Sequence, residues 1–276
     1  MADPLAPGGQ EGDTGMVACT LLGTAAALPT ATRDNTAVVF VGAQSALLVD
    51  CPGGAYAKLR RAGVVPEQLT HLLLTHTHTD HSHGLPGLLQ SLWLGGRTAE
   101  LPIVGLPEVQ KLVDRAIAAY QPFGDRIPFA LPRLTLPNSA SDTPVLETAD
   151  FRVWAAPTRH SVPSVAVRVE ARESGAAVVY SSDTGPCAAV EQLARGAALL
   201  IHEATFAAAE AAAAARFAHS TSAQAAEVAR AAGARALWLV HYTPQTDADL
   251  AARQQEAAAV FGPAVEAPTD FASYRF

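Results

Sequence analysis

The sequence predicts an α/β fold of four layers, an αββα sandwich with two β-sheets face to face and helices on both outer sides. Short Val- and Leu-rich runs recur in both halves of the chain, and amphipathic or Ala-rich helical runs follow them. No Pro/Gly/Ser-rich linker divides the halves, so residues 16–276 are expected to form one domain behind a flexible tail at residues 1–15.

The elements follow in order. Met16–Leu22, Thr36–Val41 and Ser45–Asp50 read as consecutive strands separated by turn residues. Gly53 and Gly54 open a short helix with Tyr56 and Leu59 on one face, which Gly63 and Pro66 end. His71–Thr75 reads as a strand, Gly84–Leu94 as a helix, and Leu101–Tyr120 as a further strand and helix. Gln121–Thr143, with Pro122, Pro128, Pro132 and Pro137, is expected to be an irregular surface excursion and a candidate lid. Strands then recur at Phe151–Ala156, Ser164–Glu170, Ala176–Ser182, Ala197–His202 and Ala236–Val240. Helices are expected at Ala207–Arg216, Ser222–Ala232 and Asp247–Phe261, before a short terminal strand.

Composition narrows the function classes. There are 19 basic and 26 acidic side chains, a formal charge of −7, which argues against a dedicated nucleic-acid clamp. Hydrophobic residues at 49% and charged residues at 16% fit a folded globular chain rather than a disordered one. Cys19, Cys51 and Cys187 are too few and too scattered for a disulfide framework or a thiolate metal cage, and read as reduced spacers. Met1–Gly15 has neither the cationic start nor the apolar run of a signal peptide, and no stretch reaches the roughly 20 apolar residues of a membrane span. A soluble, cytoplasmic protein is expected, with no membrane partner.

One segment concentrates the chemistry, Thr75-His76-Thr77-His78-Thr79-Asp80-His81-Ser82-His83-Gly84. It lies where a strand ends and a helix begins, so imidazoles and a carboxylate can curl around a point. Imidazole nitrogen suits zinc and its neighbours, and Asp adds an anionic oxygen able to bridge a second ion. The competing reading is a solvated histidine tract, which needs neither the intercalated Asp nor the strand-to-helix context. His160, Asp183 and His241 fall at other strand ends and could complete the ligand set. Each alone is more ordinary as a structural residue.

His76, His78, Asp80 and His81 match the HxHxDH signature, and the chain resembles the metallo-β-lactamase superfamily. The resemblance narrows to its ribonuclease Z-like branch through Leu22-Gly23-Thr24, Leu28-Pro29-Thr30, Leu47–Cys51, Gly84–Leu89, His202-Glu203-Ala204-Thr205-Phe206 and His219-Ser220-Thr221. It implies two divalent ions, zinc by preference with manganese or iron as alternatives. One would take His76, His78 and His160, the other Asp80, His81 and His241, with Asp183 bridging. Asp50 matches the carboxylate that orients the metal-binding loop. The implied nucleophile is a metal-bridging hydroxide, with Asp80 in the catalytic set. Thr221-Ser222-Ala223-Gln224 has the form of a capping box, which puts His219 just before a helix N-terminus, a position suited to an anionic phosphate. His219 is the candidate proton donor to the leaving group and Glu203 its orienting partner. His71, His83 and His202 are read as outside the ligand set, and Tyr242 as a buried aromatic.

Two departures bear on substrate. The tRNA-processing enzymes of the branch carry a basic arm between the third ligand histidine and the bridging aspartate, but only 23 positions separate His160 from Asp183, already filled by two strands. After His241 the chain reads Tyr-Thr-Pro-Gln, where the branch more usually has an arginine-containing run. The expectation is therefore a phosphodiesterase acting on a small or nucleotide-like phosphodiester, and not on a large RNA. The alternatives are a thioesterase or lactonase, a tRNA 3′-processing endoribonuclease, and a non-catalytic metal-binding module. Homodimers are common in the branch.

Overall fold

The computed structural model describes residues 16–65, 68–120, 126–140, 142–243 and 246–276. The tail at residues 1–15, and Pro244 and Gln245 after His241, lie outside them. Two seven-stranded sheets stack face to face. The first comprises β1 (Ala18–Gly23), β2 (Ala37–Val41), β3 (Ala46–Val49), β4 (Leu69–Leu73), β5 (Ile103–Gly105), β6 (Arg133–Thr135) and β14 (Ser273–Arg275), in the order β14-β1-β2-β3-β4-β5-β6. The second comprises β7 (Leu146–Glu147), β8 (Phe151–Pro157), β9 (Val165–Ala171), β10 (Ala177–Tyr180), β11 (Leu199–Glu203), β12 (Leu237–Val240) and β13 (Val265–Glu266), in the reverse sequence order.

Central strands of both sheets are buried on both faces and are therefore almost continuously apolar, as in AVVFV, ALLV, AVVY and LWLV. Within each strand alternate residues part company. Leu47 and Val49 enter the core between the sheets with Phe40, Val167, Val178 and Ile201, whereas Ala46 and Leu48 face outward. The outward face of the first sheet is covered by α1 (Ala55–Arg61), α3 (Leu85–Leu94) and α4 (Pro107–Ala119), which contribute Leu59, Leu88 and Val113. The second sheet is covered by α5 (Ala188–Leu193), α7 (Ser222–Ala232) and α8 (Asp247–Phe261), which contribute Val190, Ala225 and Ala257. The expected four layers are thus present.

Several boundaries differ from expectation. The fourth strand ends at Leu73 and not at Thr75, which frees Thr75 and His76 for the loop. The excursion from Gln121 to Thr143 is only partly described, and its described part is irregular except for one three-residue strand. This part includes β6, parallel to β5, and buries Phe129 and Leu136. Tertiary pairing overrode the local proline signal. Helix α5 and strand β7 are too short for periodicity to reveal. The expected helix Ala207–Arg216 is a single 3₁₀ turn, Ala208–Glu210, followed by α6 (Ala211–Phe217). The terminal strand is two, with β13 on the second sheet and β14 beside β1 on the first.

Cys19 and Cys51 are buried, and burial pushes the Cys19 thiol up to about 12, in keeping with a spacer role. Among the described residues no helix is long and apolar enough to cross a membrane.

Phe40 lies fully buried between the sheets, its ring edge-on to Phe276 at 6.4 Å. Phe40→Ala is expected to lower stability by about 3–5 kcal/mol, against less than about 0.5 kcal/mol for Leu134→Ala on the solvent side of β6. Denaturant titration of both variants checks this, and equal shifts would contradict the layered core.

Candidate metal centre

The site forms where each sheet changes from antiparallel to parallel pairing. In the first sheet β2 and β3 are antiparallel while β3 and β4 are parallel, and in the second β9 and β10 are antiparallel while β10 and β11 are parallel. Side chains at the C-terminal ends of strands on either side of such a switch converge on a crevice. Asp50 follows β3, His76 follows β4, Asp183 follows β10, Glu203 ends β11 and His241 follows β12. Three of these exits use left-handed backbone at a non-glycine residue, Asp50 (φ 66°), Ser182 (φ 52°) and His241 (φ 61°). Such strain persists only where the surroundings fix it and clusters at functional sites.

The HxHxDH segment wraps this crevice as one turn, α2 (Thr79–Ser82). Its backbone is stapled to the residues after β3, with the Cys51 amide donating to the His81 carbonyl (2.8 Å) and the Gly84 amide to the Cys51 carbonyl (2.9 Å). Gly84 is required, since a Cβ there would stand 1.9 Å from the Pro52 carbonyl oxygen.

All seven sequence-expected ligands meet. The donor atoms of His76, His78, His160 and Asp183 lie within 4.8 Å of one another, and so do those of Asp80, His81 and His241. Asp183 faces both groups. Its Oδ2 lies 3.8 Å from His76 Nε2 and 3.7 Å from His160 Nε2, while its Oδ1 lies 3.4 Å from His81 Nε2 and 3.3 Å from His241 Nε2. Asp80 Oδ2 closes the second group at 3.3 Å from His81 and 3.5 Å from His241.

The donor set fits a pair of divalent cations. Buried polar atoms normally find hydrogen-bond partners. Here His76 Nε2, His81 Nε2, His241 Nε2 and Asp183 Oδ1 are buried without one, and all four point into the same crevice. Imidazole nitrogens with carboxylate oxygens are the ligands that zinc and neighbouring transition metals take.

The opposite ring nitrogens are held by the protein. His81 Nδ1 is 2.7 Å from Asp50 Oδ2, His160 Nδ1 is 3.1 Å from the Ala218 carbonyl, and His241 Nδ1 is 2.9 Å from Thr205 Oγ1. Asp50, fully buried, also accepts from the Thr75 amide at 2.8 Å and from the Thr75 hydroxyl, which contacts His76 Nδ1 at 3.0 Å. These acceptors fix ring orientation and leave the inward nitrogens free for a cation. Burial disfavours charge on His81, but the Asp183 and Asp50 carboxylates outweigh it and hold its pKa well above the usual imidazole value. Burial likewise opposes ionisation of Asp183, and the surrounding imidazoles reverse it, holding its carboxyl well below the usual range.

Beside this cluster stand the two other expected residues. His219 Nδ1 is 2.7 Å from Glu203 Oε1. Glu203 is fully buried and accepts four more hydrogen bonds, from the Thr184, Thr205 and Ser220 amides and the Thr205 hydroxyl. Burial alone would raise its pKa, but the bond and charge of His219 bring it down. Burial lowers the pKa of His219, and Glu203 more than restores it, so the net shift is upward. The His219 ring stacks at 5.5 Å on His241 and lies 5.0 Å from His160. The Thr221 to Gln224 capping box is present, with reciprocal bonds of 3.2 and 3.0 Å that seat His219 ahead of α7.

A family profile described as "Beta-lactamase superfamily domain" matches residues 46–242, which hold every one of these side chains. Ribonuclease Z of Mycobacterium sp. (strain KMS) is 36% identical over 199 residues, covering 68% of this chain and 69% of that protein. The chain belongs to the ribonuclease Z-like branch of the metallo-β-lactamase superfamily. It is a metal-dependent hydrolase. Human tRNase Z, short form, superposes with a TM-score of 0.76 at 26% identity over 93% of this chain and 98% of that one. The metallo-β-lactamase fold protein YhfI from Bacillus subtilis superposes with a TM-score of 0.79 at 24% identity, covering 95% of this chain and 100% of that one, which shows the shared fold.

Within this ribonuclease Z-like chain the remaining histidines stay out of the cluster. His83 accepts from the Gly53 amide, His71 contacts Thr70, and His202 is buried with Nδ1 on the Glu203 carbonyl. Tyr242 is buried and its hydroxyl donates to the Leu239 carbonyl. Sequence reasoning missed Thr205, whose hydroxyl lies between Glu203, His241 and His219, and Arg253 of α8, which is buried and donates to the Ala204 and Thr205 carbonyls at 2.7 and 2.9 Å. Thr205 lay within a motif already singled out. Nothing in the local sequence marked Arg253.

Asp50 lies outside the donor groups but orients His81 directly and His76 through the Thr75 hydroxyl. Asp50→Asn is expected to weaken zinc affinity by roughly 10- to 100-fold, read by competition with a chromophoric chelator. Unchanged affinity would remove Asp50 from the architecture of the site.

Proposed function

We propose that this chain is a dinuclear-metal phosphodiesterase acting on a small or nucleotide-like phosphodiester. The observation that carries the proposal is the buried Glu203–His219 pair, 2.7 Å apart, against the edge of the seven-ligand cluster. In this reading His76, His78 and His160 would hold one ion and Asp80, His81 and His241 the other, with Asp183 available to both.

Two divalent ions in such a cluster supply Lewis-acid neutralisation of phosphoryl oxygen charge and an activated water as nucleophile. The chain's own residues then handle geometry and protons. Asp183 and Asp80 fix the spacing of the two ligand groups. Glu203 holds His219 Nδ1 and favours the imidazolium through its charge, and a ring nitrogen of His219 lies within 4.8 Å of donor atoms of Asp183 and His241. His219 donates its proton to the departing alkoxide, whose poor leaving ability is what makes a phosphodiester slow to break. The amides of Thr184, Thr205 and Ser220 neutralise Glu203 in place, so that it orients His219 without taking the proton itself.

A small substrate is favoured over a large RNA by what lies between His160 and Asp183. The described residues there form β9, a short turn and β10, with no basic arm. The −7 charge points the same way.

His219→Ala is expected to cost about 10² to 10⁴ in kcat on a dialkyl phosphodiester and little on bis(p-nitrophenyl) phosphate, whose leaving group needs no proton. The zinc-loaded protein should cleave the aryl diester and leave a thioester and a lactone largely intact. Turnover of a thioester or lactone with no diester cleavage would overturn the phosphoryl assignment.

A further inference from the structure

A row of aromatic rings leads out of the metal cluster. From His160 the ring centres step 5.0 Å to His219, 6.2 Å to Phe206 and 6.3 Å to Phe217, where the row meets solvent. Phe206 and Phe217 are nearly parallel, 10° apart, and the guanidinium of Arg216 lies 5.3 Å from the Phe217 ring. Phe217 is 52% exposed, so part of its ring is open to solvent.

Backbone hydrogen bonds hold Phe206 in place. Phe206 is held on both sides of its peptide, its amide donating to the Ser220 carbonyl at 3.2 Å and its carbonyl accepting from the Ser222 amide at 3.0 Å. Ala218 ends α6 in a left-handed conformation (φ 56°), and the turn it makes separates Phe217 from His219. The carbonyl of Ala218 contacts the His160 ring. One sharp turn therefore seats a cluster histidine, the proton donor and the exposed ring together.

We infer that Phe206 and Phe217 form a stacking platform for a nucleobase, or an equally flat heteroaromatic ring, on the leaving-group side of the phosphodiester. The inference rests on the phosphodiesterase reading for the position of the phosphate, and adds to it the class of group carried by the departing oxygen. The row leaves the cluster through His219, the residue that protonates that oxygen, so whatever is attached to the oxygen is carried toward Phe206 and Phe217. Aromatic faces stack any base without demanding its sequence, and Arg216 offers a cation to the same ligand. An aromatic ring has only two side-chain torsions to immobilise on binding.

The test is equilibrium binding by calorimetry to the zinc-loaded full-length protein, comparing AMP with ribose 5-phosphate, which carries the same phosphate without the base. AMP is expected to bind roughly 5- to 150-fold more tightly, the range of one base–aromatic stacking contact. Phe217→Ala and Phe217→Leu should both bring that ratio toward one, since leucine keeps apolar bulk but no flat face, and Phe217→Trp should preserve it. Leu94→Ala, exposed on α3, serves as the control and should leave the ratio alone. Equal binding of the two ligands by the unmodified protein, or a ratio unaffected by Phe217→Leu, would overturn the platform. Cleavage of bis(p-nitrophenyl) phosphate reports separately on the phosphodiesterase reading, so a platform that fails on a competent hydrolase is distinguishable from a hydrolase assignment that fails.

Discussion

Asp183 is a carboxylate with four imidazoles around its two oxygens and almost no solvent, and the rest of the crevice is arranged to keep it there. An ion this deep in the protein costs several kcal/mol to desolvate unless opposite charge or good donors surround it. Here one oxygen faces His76 and His160 while the other faces His81 and His241. A carboxylate divided in this way is complementary to two separate positive charges. Most other features near it can be understood as holding those charges' positions: the strained exits at Asp50, Ser182 and His241, the close approach at Gly84, and the acceptors behind the rings.

The two sheets reach this point by the same route. Each begins as an antiparallel meander and turns parallel, and the last strand before the change delivers a carboxylate, Asp50 from β3 and Asp183 from β10. The two have diverged in role. Asp183 has an unpartnered oxygen directed into the crevice, whereas Asp50 spends its oxygens on His81 and Thr75. The second sheet further supplies Glu203 and, through the turn at Ala218, His219. The pair proposed to handle protons thus belongs to one half of the molecule, next to the half-buried ring of Phe206 and the exposed ring of Phe217.

Much of this was legible in the chain because the informative residues are chemically loud and locally dense. Four ligand candidates fall within six positions, from His76 to His81, and a buried strand next to a histidine-rich turn is an uncommon pattern. The distant residues, His160, Asp183 and His241, were legible only as an ordered set at strand ends. The quieter parts were not. Thr75, Ser182 and Thr205 act through hydroxyls whose roles depend on which ring they happen to meet, and Arg253 acts on carbonyls 48 and 49 positions away. Strand β6 was obscured because the prolines that flank it, Pro132 and Pro137, argued locally for a loop while its pairing with β5 is decided by the tertiary fold.

The central claim is a pair of cations sharing the Asp183 carboxylate, and anomalous scattering from zinc-soaked crystals tests it most directly. Two peaks about 3.5–4 Å apart, one on each side of Asp183, are the expected result. A single peak, or two with Asp183 turned away from both, would contradict the account.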